Sequence, residues 1–119
     1  MRIISLFWWV PFGSVPEIKA SELVKELTSD FPPQILDVRT RMEYENGHIE
    51  GAVHVPIFEL RSRASNLPFD RGKRVVTICL TAHRSIPAVR TLKEHGFKDV
   101  CQLAGGMLAW RKEGLPTQS

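Results

Sequence analysis

Short apolar runs alternate with helix-forming segments along most of this 119-residue chain, and this alternation constrains the fold more than any other feature. The runs predicted as strands cover residues 14–18, 34–38, 52–55, 74–78 and 100–103. The helices predicted between and after them cover residues 20–29, 40–47, 57–67, 85–95 and 107–112. Strands that each lead into a helix through a short loop pair in parallel. The sequence therefore predicts an α/β fold, a parallel sheet with helices on both faces.

Two boundary signals sharpen these predictions. Thr40-Arg41-Met42-Glu43 fits a capping box, in which a threonine and a glutamate three residues later satisfy the first amides of a helix. Gly96 follows the helix predicted over residues 85–95 and suits its end.

The composition is that of one globular domain, with 43% hydrophobic and 24% charged residues. The formal net charge is +3, and the basic residues are scattered apart from those at 71–74. Aromatic residues do not interleave with them, so nucleic-acid binding is not expected. The charge is compatible with a small anionic substrate without indicating one.

The N-terminal residues differ in character from the rest of the chain. Residues 1–13 form an apolar N-terminal arm, and the domain is predicted over residues 14–119. The run at 3–12 is shorter than the roughly 20 residues that span a bilayer. Two interpretations of it remain open: self-association or packing on the domain, and peripheral contact with a membrane.

Cys79 and Cys101 are the chain's two cysteines, and neither has the spacing of a metal ligand. Two cysteines do not make a disulfide framework, so a reducing compartment, the cytoplasm, is expected. Cys79 ends the most strand-like run, at the edge of a parallel sheet where ligands bind. Arg84 follows it, and a helix is predicted from Ser85. The arginine, the helix N-terminus and converging loop amides would favour the reactive thiolate and hold an anion. The residues alone leave open a buried, inert cysteine.

The loop Cys79-Leu80-Thr81-Ala82-His83-Arg84-Ser85 resembles the active-site loop of the rhodanese (thiosulfate sulfurtransferase) family. Leu36-Asp37-Val38-Arg39-Thr40, with Glu43-Tyr44 and Gly47-His48-Ile49-Glu50-Gly51-Ala52, is similar to another of its motifs. Leu103-Ala104-Gly105-Gly106-Met107, with Trp110 and Gly114-Leu115-Pro116, is similar to its closing signature. The resemblance runs from about Val15 to Pro116.

This resemblance implies a rhodanese-like domain with a central five-stranded parallel sheet and a sulfurtransferase activity that needs no metal or organic cofactor. Cys79 would be the catalytic nucleophile. It would take a sulfane sulfur from thiosulfate or a similar small anionic donor as a persulfide. It would then pass the sulfur to cyanide or a thiol, including a protein cysteine. The residues implied to bind the substrate are Leu80, Thr81, Ala82, His83, Arg84 and Ser85. Asp37 and Arg39 are implied to support the loops through hydrogen bonds.

Other functions remain as alternatives. The related phosphatases have five residues between the cysteine and the arginine, whereas this loop has four, which favours a sulfur atom over a phosphate group. A non-catalytic module that docks on a protein partner or a membrane is the main alternative. Cys101 is expected to be an inert core thiol, with a disulfide to Cys79 as the less favoured interpretation.

Overall fold

The computed structural model describes residues 15–81 and 83–119. Its strands are β1 (Glu17–Ile18), β2 (Gln34–Asp37), β3 (Val53–His54), β4 (Val75–Ile78) and β5 (Val100–Leu103). Its helices are α1 (Ala20–Leu27), α2 (Arg41–Glu45), α3 (Ile57–Arg63), α4 (Ser85–Glu94) and α5 (Gly106–Lys112), with a 3-10 turn at Ala64–Asn66. The strands form one parallel sheet in the order β1-β5-β4-β2-β3. The predicted α/β fold with a five-stranded parallel sheet is therefore confirmed.

The core lies on both faces of this sheet, because successive side chains of a strand point to opposite sides. On one face, Val76 and Ile78 of β4 pack with α1 and α5, whose largest contribution is the buried Trp110. On the other face, Val75 packs with α3 and α4, which contribute Leu60 and Leu92 among others. All four residues of β4 are buried, which explains why three of them are apolar, and all four are β-branched.

The element boundaries differ from the predicted ones mainly at the edges of the sheet. β1 and β3 are two residues long, and each is an edge strand with a neighbour on one side only. Pro16 directly precedes β1, and Pro56 follows β3 after one residue. The helix predicted over residues 57–67 ends at Arg63 and continues as the 3-10 turn. The predicted capping box is present at the start of α2.

The register of β2 and β4 brings two loops together at the carboxyl edge of the sheet. Asp37 pairs with Ile78, and the Val38 amide donates to the Ile78 carbonyl at 3.0 Å. The segment after β2 therefore runs beside the segment after β4, which begins with Cys79.

The apolar arm predicted over residues 1–13 lies outside the described residues, and so does Ala82. Among the helices that the structure describes, none has the length and apolar character needed to cross a lipid bilayer.

Candidate active site

Cys79 is the first residue after β4 and is 2% exposed. The main-chain N–H of Arg84 donates to the Cys79 sulfur at 3.3 Å. The loop after β4 thus turns back over the sulfur within five residues, immediately before α4 begins at Ser85. This contact brings the main chain of Arg84 to the Cys79 sulfur, and the roles of both residues in binding and catalysis stay predictions.

The first turn of α5 holds this loop through hydrogen bonds. The amides of Met107 and Leu108 donate to the carbonyls of Cys79 and Leu80, at 2.8 and 3.0 Å. Gly106 has φ 60°, and a Cβ added there would lie closer than 3.0 Å to main-chain atoms of Cys79, Leu80 and Thr81. Only glycine allows so close an approach in this left-handed conformation. The second glycine of the closing signature is therefore explained by the loop that it contacts.

The Arg84 side chain is held by a residue whose contact the sequence did not predict. Its two terminal nitrogens donate to the two carboxylate oxygens of Glu43, at 2.7 and 2.9 Å. The side chains are 30% and 26% exposed. Sequence analysis identified Glu43 only through the capping box and the Glu43-Tyr44 motif.

Glu43 serves the helix cap and the arginine at once. Its Oε1 atom accepts hydrogen bonds from the Thr40 amide and the Thr40 hydroxyl, each at 2.9 Å. The hydrogen bond from Arg84, with further help from Thr40, lowers the pKa of Glu43 from 4.5 to about 2. The same ion pair, with a smaller contribution from Cys79, raises the pKa of Arg84. Both groups are therefore charged across the physiological pH range.

Asp37 and Arg39 form an ion pair at 2.8 Å, with both side chains fully buried. Asp37 also accepts from the Arg39 amide at 3.1 Å, and Arg39 Nη2 donates to the Gly47 carbonyl at 2.8 Å. These contacts fix the segment after β2 to the turn at Gly47.

The remaining loop residues differ in exposure. Leu80 and Thr81 are half-buried, and His83 is exposed. Ser85 is fully buried, and its hydroxyl has no hydrogen-bond partner within the part of the chain that the structure describes. This hydroxyl lies in the first turn of α4, directly after the residue whose amide reaches the sulfur.

Cys101 lies on β5 in register with Val76 and is 5% exposed. Burial raises the pKa of its thiol to about 11, so it stays protonated at neutral pH. Cys79 is three residues further along β4 than Val76, or about 10 Å along the sheet, whereas disulfide-bonded Cα atoms are at most about 7 Å apart. A disulfide between the two cysteines would require the backbone to move, and both are free.

Two cavities differ in their distance from the Cys79 loop. One, of about 250 Å³, is lined by residues that include Thr40, Arg41, Phe58 and Arg84, and it leads to the arginine. A larger one, of about 670 Å³, has no lining residue from the Cys79 loop. Over the described residues, no cluster of three or more histidine, cysteine or acidic side chains could hold a metal ion.

A family model for the rhodanese-like domain matches residues 19–113. The chain belongs to the rhodanese family. It is 34% identical to a protein named sulfurtransferase from Allochromatium vinosum, covering 86% of this chain and 94% of that protein. It is 40% identical to the putative sulfur carrier protein YrkF of Bacillus subtilis, covering 82% of this chain. The chain spans about half of YrkF, 52% of its length.

Solved structures agree with this family. The crystal structure of a rhodanese-related protein from Thermoplasma volcanium superimposes with a TM-score of 0.77 at 31% identity. The match covers 87% of this chain and 98% of that one. The fold described above is thus rhodanese-like.

Proposed function

We propose that this protein is a sulfurtransferase that carries a sulfane sulfur as a persulfide on Cys79. The observation that carries the proposal is the position of the Cys79 sulfur. It lies at the carboxyl end of the most buried strand and accepts the Arg84 amide at 3.3 Å. The amide thus donates to the atom that would act as the nucleophile and carry the transferred sulfur. Relatives named sulfurtransferase support the same activity.

The reaction is a double displacement. The Cys79 thiolate attacks the outer sulfur of the donor, the donor's S–S bond breaks, and the donor leaves with the bonding electrons, as sulfite when the donor is thiosulfate. Cyanide or a thiolate then attacks the outer sulfur of the persulfide, which returns Cys79 to the thiolate. Amides of residues 80–85 stabilise the extra sulfur, and Ser85 offers a buried hydroxyl to it.

Access to the sulfur limits the donors and acceptors. Because Cys79 is 2% exposed, we expect small donors and acceptors to reach its sulfur more readily than large ones. We propose that an anionic donor approaches through the cavity that Arg84 lines. Two free cysteines suit a reducing compartment, and we place the activity in the cytoplasm.

The test is the intact mass of the protein after incubation with thiosulfate and removal of excess donor. We expect a gain of one sulfur atom that a reductant removes and that peptide mapping assigns to Cys79. Cys79→Ser should abolish the gain, whereas the matched variant Cys101→Ser should retain it, since Cys101 lies in the core.

Two results would contradict the single-nucleophile mechanism: sulfur mapped to Cys101, or an equal loss in both folded variants. If neither thiosulfate nor a hydropersulfide adds sulfur to the protein, the non-catalytic docking module becomes the favoured function. In that alternative the fold and the apolar arm at residues 3–12 would dock on a protein partner or a membrane. Turnover of an aryl phosphate by the wild type, lost in Cys79→Ser, would instead identify a phosphatase.

A further inference from the structure

Arg84 makes two contacts with different parts of the molecule. Its main chain donates to the Cys79 sulfur at 3.3 Å, while its guanidinium group is bound through both terminal nitrogens to Glu43. The arginine of the Cys79 loop therefore already has an anionic partner. Glu43 takes one donor from each terminal nitrogen, so an oxyanion that approached this bidentate face would compete with the carboxylate.

Glu43 is held firmly in this position. Its Oε1 atom accepts from the Thr40 amide, the Thr40 hydroxyl and Arg84 Nη1, at 2.9, 2.9 and 2.7 Å. The capping box thus fixes the carboxylate before any donor arrives. An incoming anion must displace a preorganised partner or bind beside an ion pair of zero net charge.

Sulfur donors differ in how much they would gain from a free guanidinium. Thiosulfate carries two negative charges and leaves as sulfite, also doubly charged. A hydropersulfide of an uncharged thiol carries at most one charge and leaves as a thiol or thiolate. Screening of the arginine therefore disfavours thiosulfate more strongly than a hydropersulfide.

We propose that Glu43 is a specificity-determining positioning residue, which offsets the charge of Arg84 so that Cys79 takes sulfur from hydropersulfides in preference to thiosulfate. The inference rests on the proposed sulfurtransferase function and deepens it. In the favoured step, the Cys79 thiolate attacks the outer sulfur of R–S–SH. The S–S bond breaks, R–S⁻ leaves with the electron pair, and Cys79 becomes the hydropersulfide.

The experiment measures the second-order rate constant for sulfur transfer to Cys79, by quenched mass spectrometry. Its two donors are thiosulfate and the hydropersulfide of 2-mercaptoethanol. Glu43→Gln removes the charge and keeps a side chain that a capping box accepts. We expect the thiosulfate constant to rise about tenfold, which is about 1.4 kcal/mol, and the hydropersulfide constant to rise no more than about threefold. The matched control is Glu45→Gln on the same helix, whose partner Arg41 is 84% exposed, and it should change neither constant.

Two further measurements separate a charge effect from a structural one. Added salt should reduce the gain for thiosulfate in Glu43→Gln, because it screens a partly exposed charge. The gain should shrink in an Arg84→Gln background, since Glu43 acts through Arg84. A gain of equal size in that background would overturn the assignment.

The wild-type protein provides a test that needs no variant. A larger rate constant for thiosulfate than for the hydropersulfide would overturn the inference, and so would an unchanged donor ratio in folded Glu43→Gln. Either result leaves the proposed function intact, because sulfur still reaches Cys79. Failure of both donors to load Cys79 would instead overturn the proposed function, and the inference with it.

Discussion

Replacing Gly106 with alanine tests whether α5 shapes the Cys79 loop. Gly106 has φ 60°, and an L-residue in this conformation costs about 1–2 kcal/mol. The added Cβ would also lie closer than 3.0 Å to main-chain atoms of Cys79 and Thr81. The amides of Met107 and Leu108 hold this loop through hydrogen bonds. The loop would therefore have to move to remove the steric clash with the added Cβ. Such overpacking costs about 1–3 kcal/mol. We expect Gly106→Ala to destabilise the fold by about 2–5 kcal/mol.

Urea unfolding of Gly106→Ala and of the matched variant Gly114→Ala measures this effect. Gly114 has φ 70° with no atom within 4 Å of the added Cβ, so its substitution contributes backbone strain alone. The excess cost in Gly106→Ala, about 1–3 kcal/mol, then belongs to the contact with the loop. Sulfur loading of Cys79 should fall in Gly106→Ala and stay unchanged in Gly114→Ala.

Equal unfolding free energies for the two variants, with unchanged loading of Cys79, would refute this account of the loop. The shape of the loop would then not depend on its contact with α5.

Three further predictions concern charged and buried groups. Asp37→Ala removes the ion-pair partner of the fully buried Arg39 and should lower the free energy of unfolding by about 3–5 kcal/mol, measured by urea unfolding. Glu45→Ala, which removes one partner of an exposed pair, should lower it by less than about 0.5 kcal/mol in the same assay. The lowered pKa of Glu43 contributes stability that is present above about pH 4.5 and is lost as the pH falls through about 2. Glu43→Gln should therefore flatten the acid side of the curve of unfolding free energy against pH, and an unchanged curve would contradict the ion pair. The Cys101 thiol, with a pKa of about 11, should resist iodoacetamide at neutral pH in the folded protein and react after addition of urea. Rapid alkylation of native Cys101 would show that it is not a core residue.

Much of the fold follows from local patterns. The run at 75–78 could be predicted as a strand because all four of its side chains are buried, which selects for apolar residues. Thr40 and Glu43 predicted the start of α2 because a capping box is local chemistry between residues three apart. The end of α3 could not be predicted, since the change from α-helix to 3-10 turn at Ala64 leaves no local sequence signal.

The sequence by itself determined the α/β class, the placement of Cys79 at a strand end and the short loop to Arg84, because these depend on periodicity and spacing along the chain. Only the tertiary structure decided that Arg84 binds Glu43, a residue 41 positions away. It also decided that Gly106 must lack a side chain beneath the Cys79 loop. Both contacts arise when parallel strands bring their carboxyl ends to one edge of the sheet. This proximity cannot be predicted from the separation of the residues along the chain.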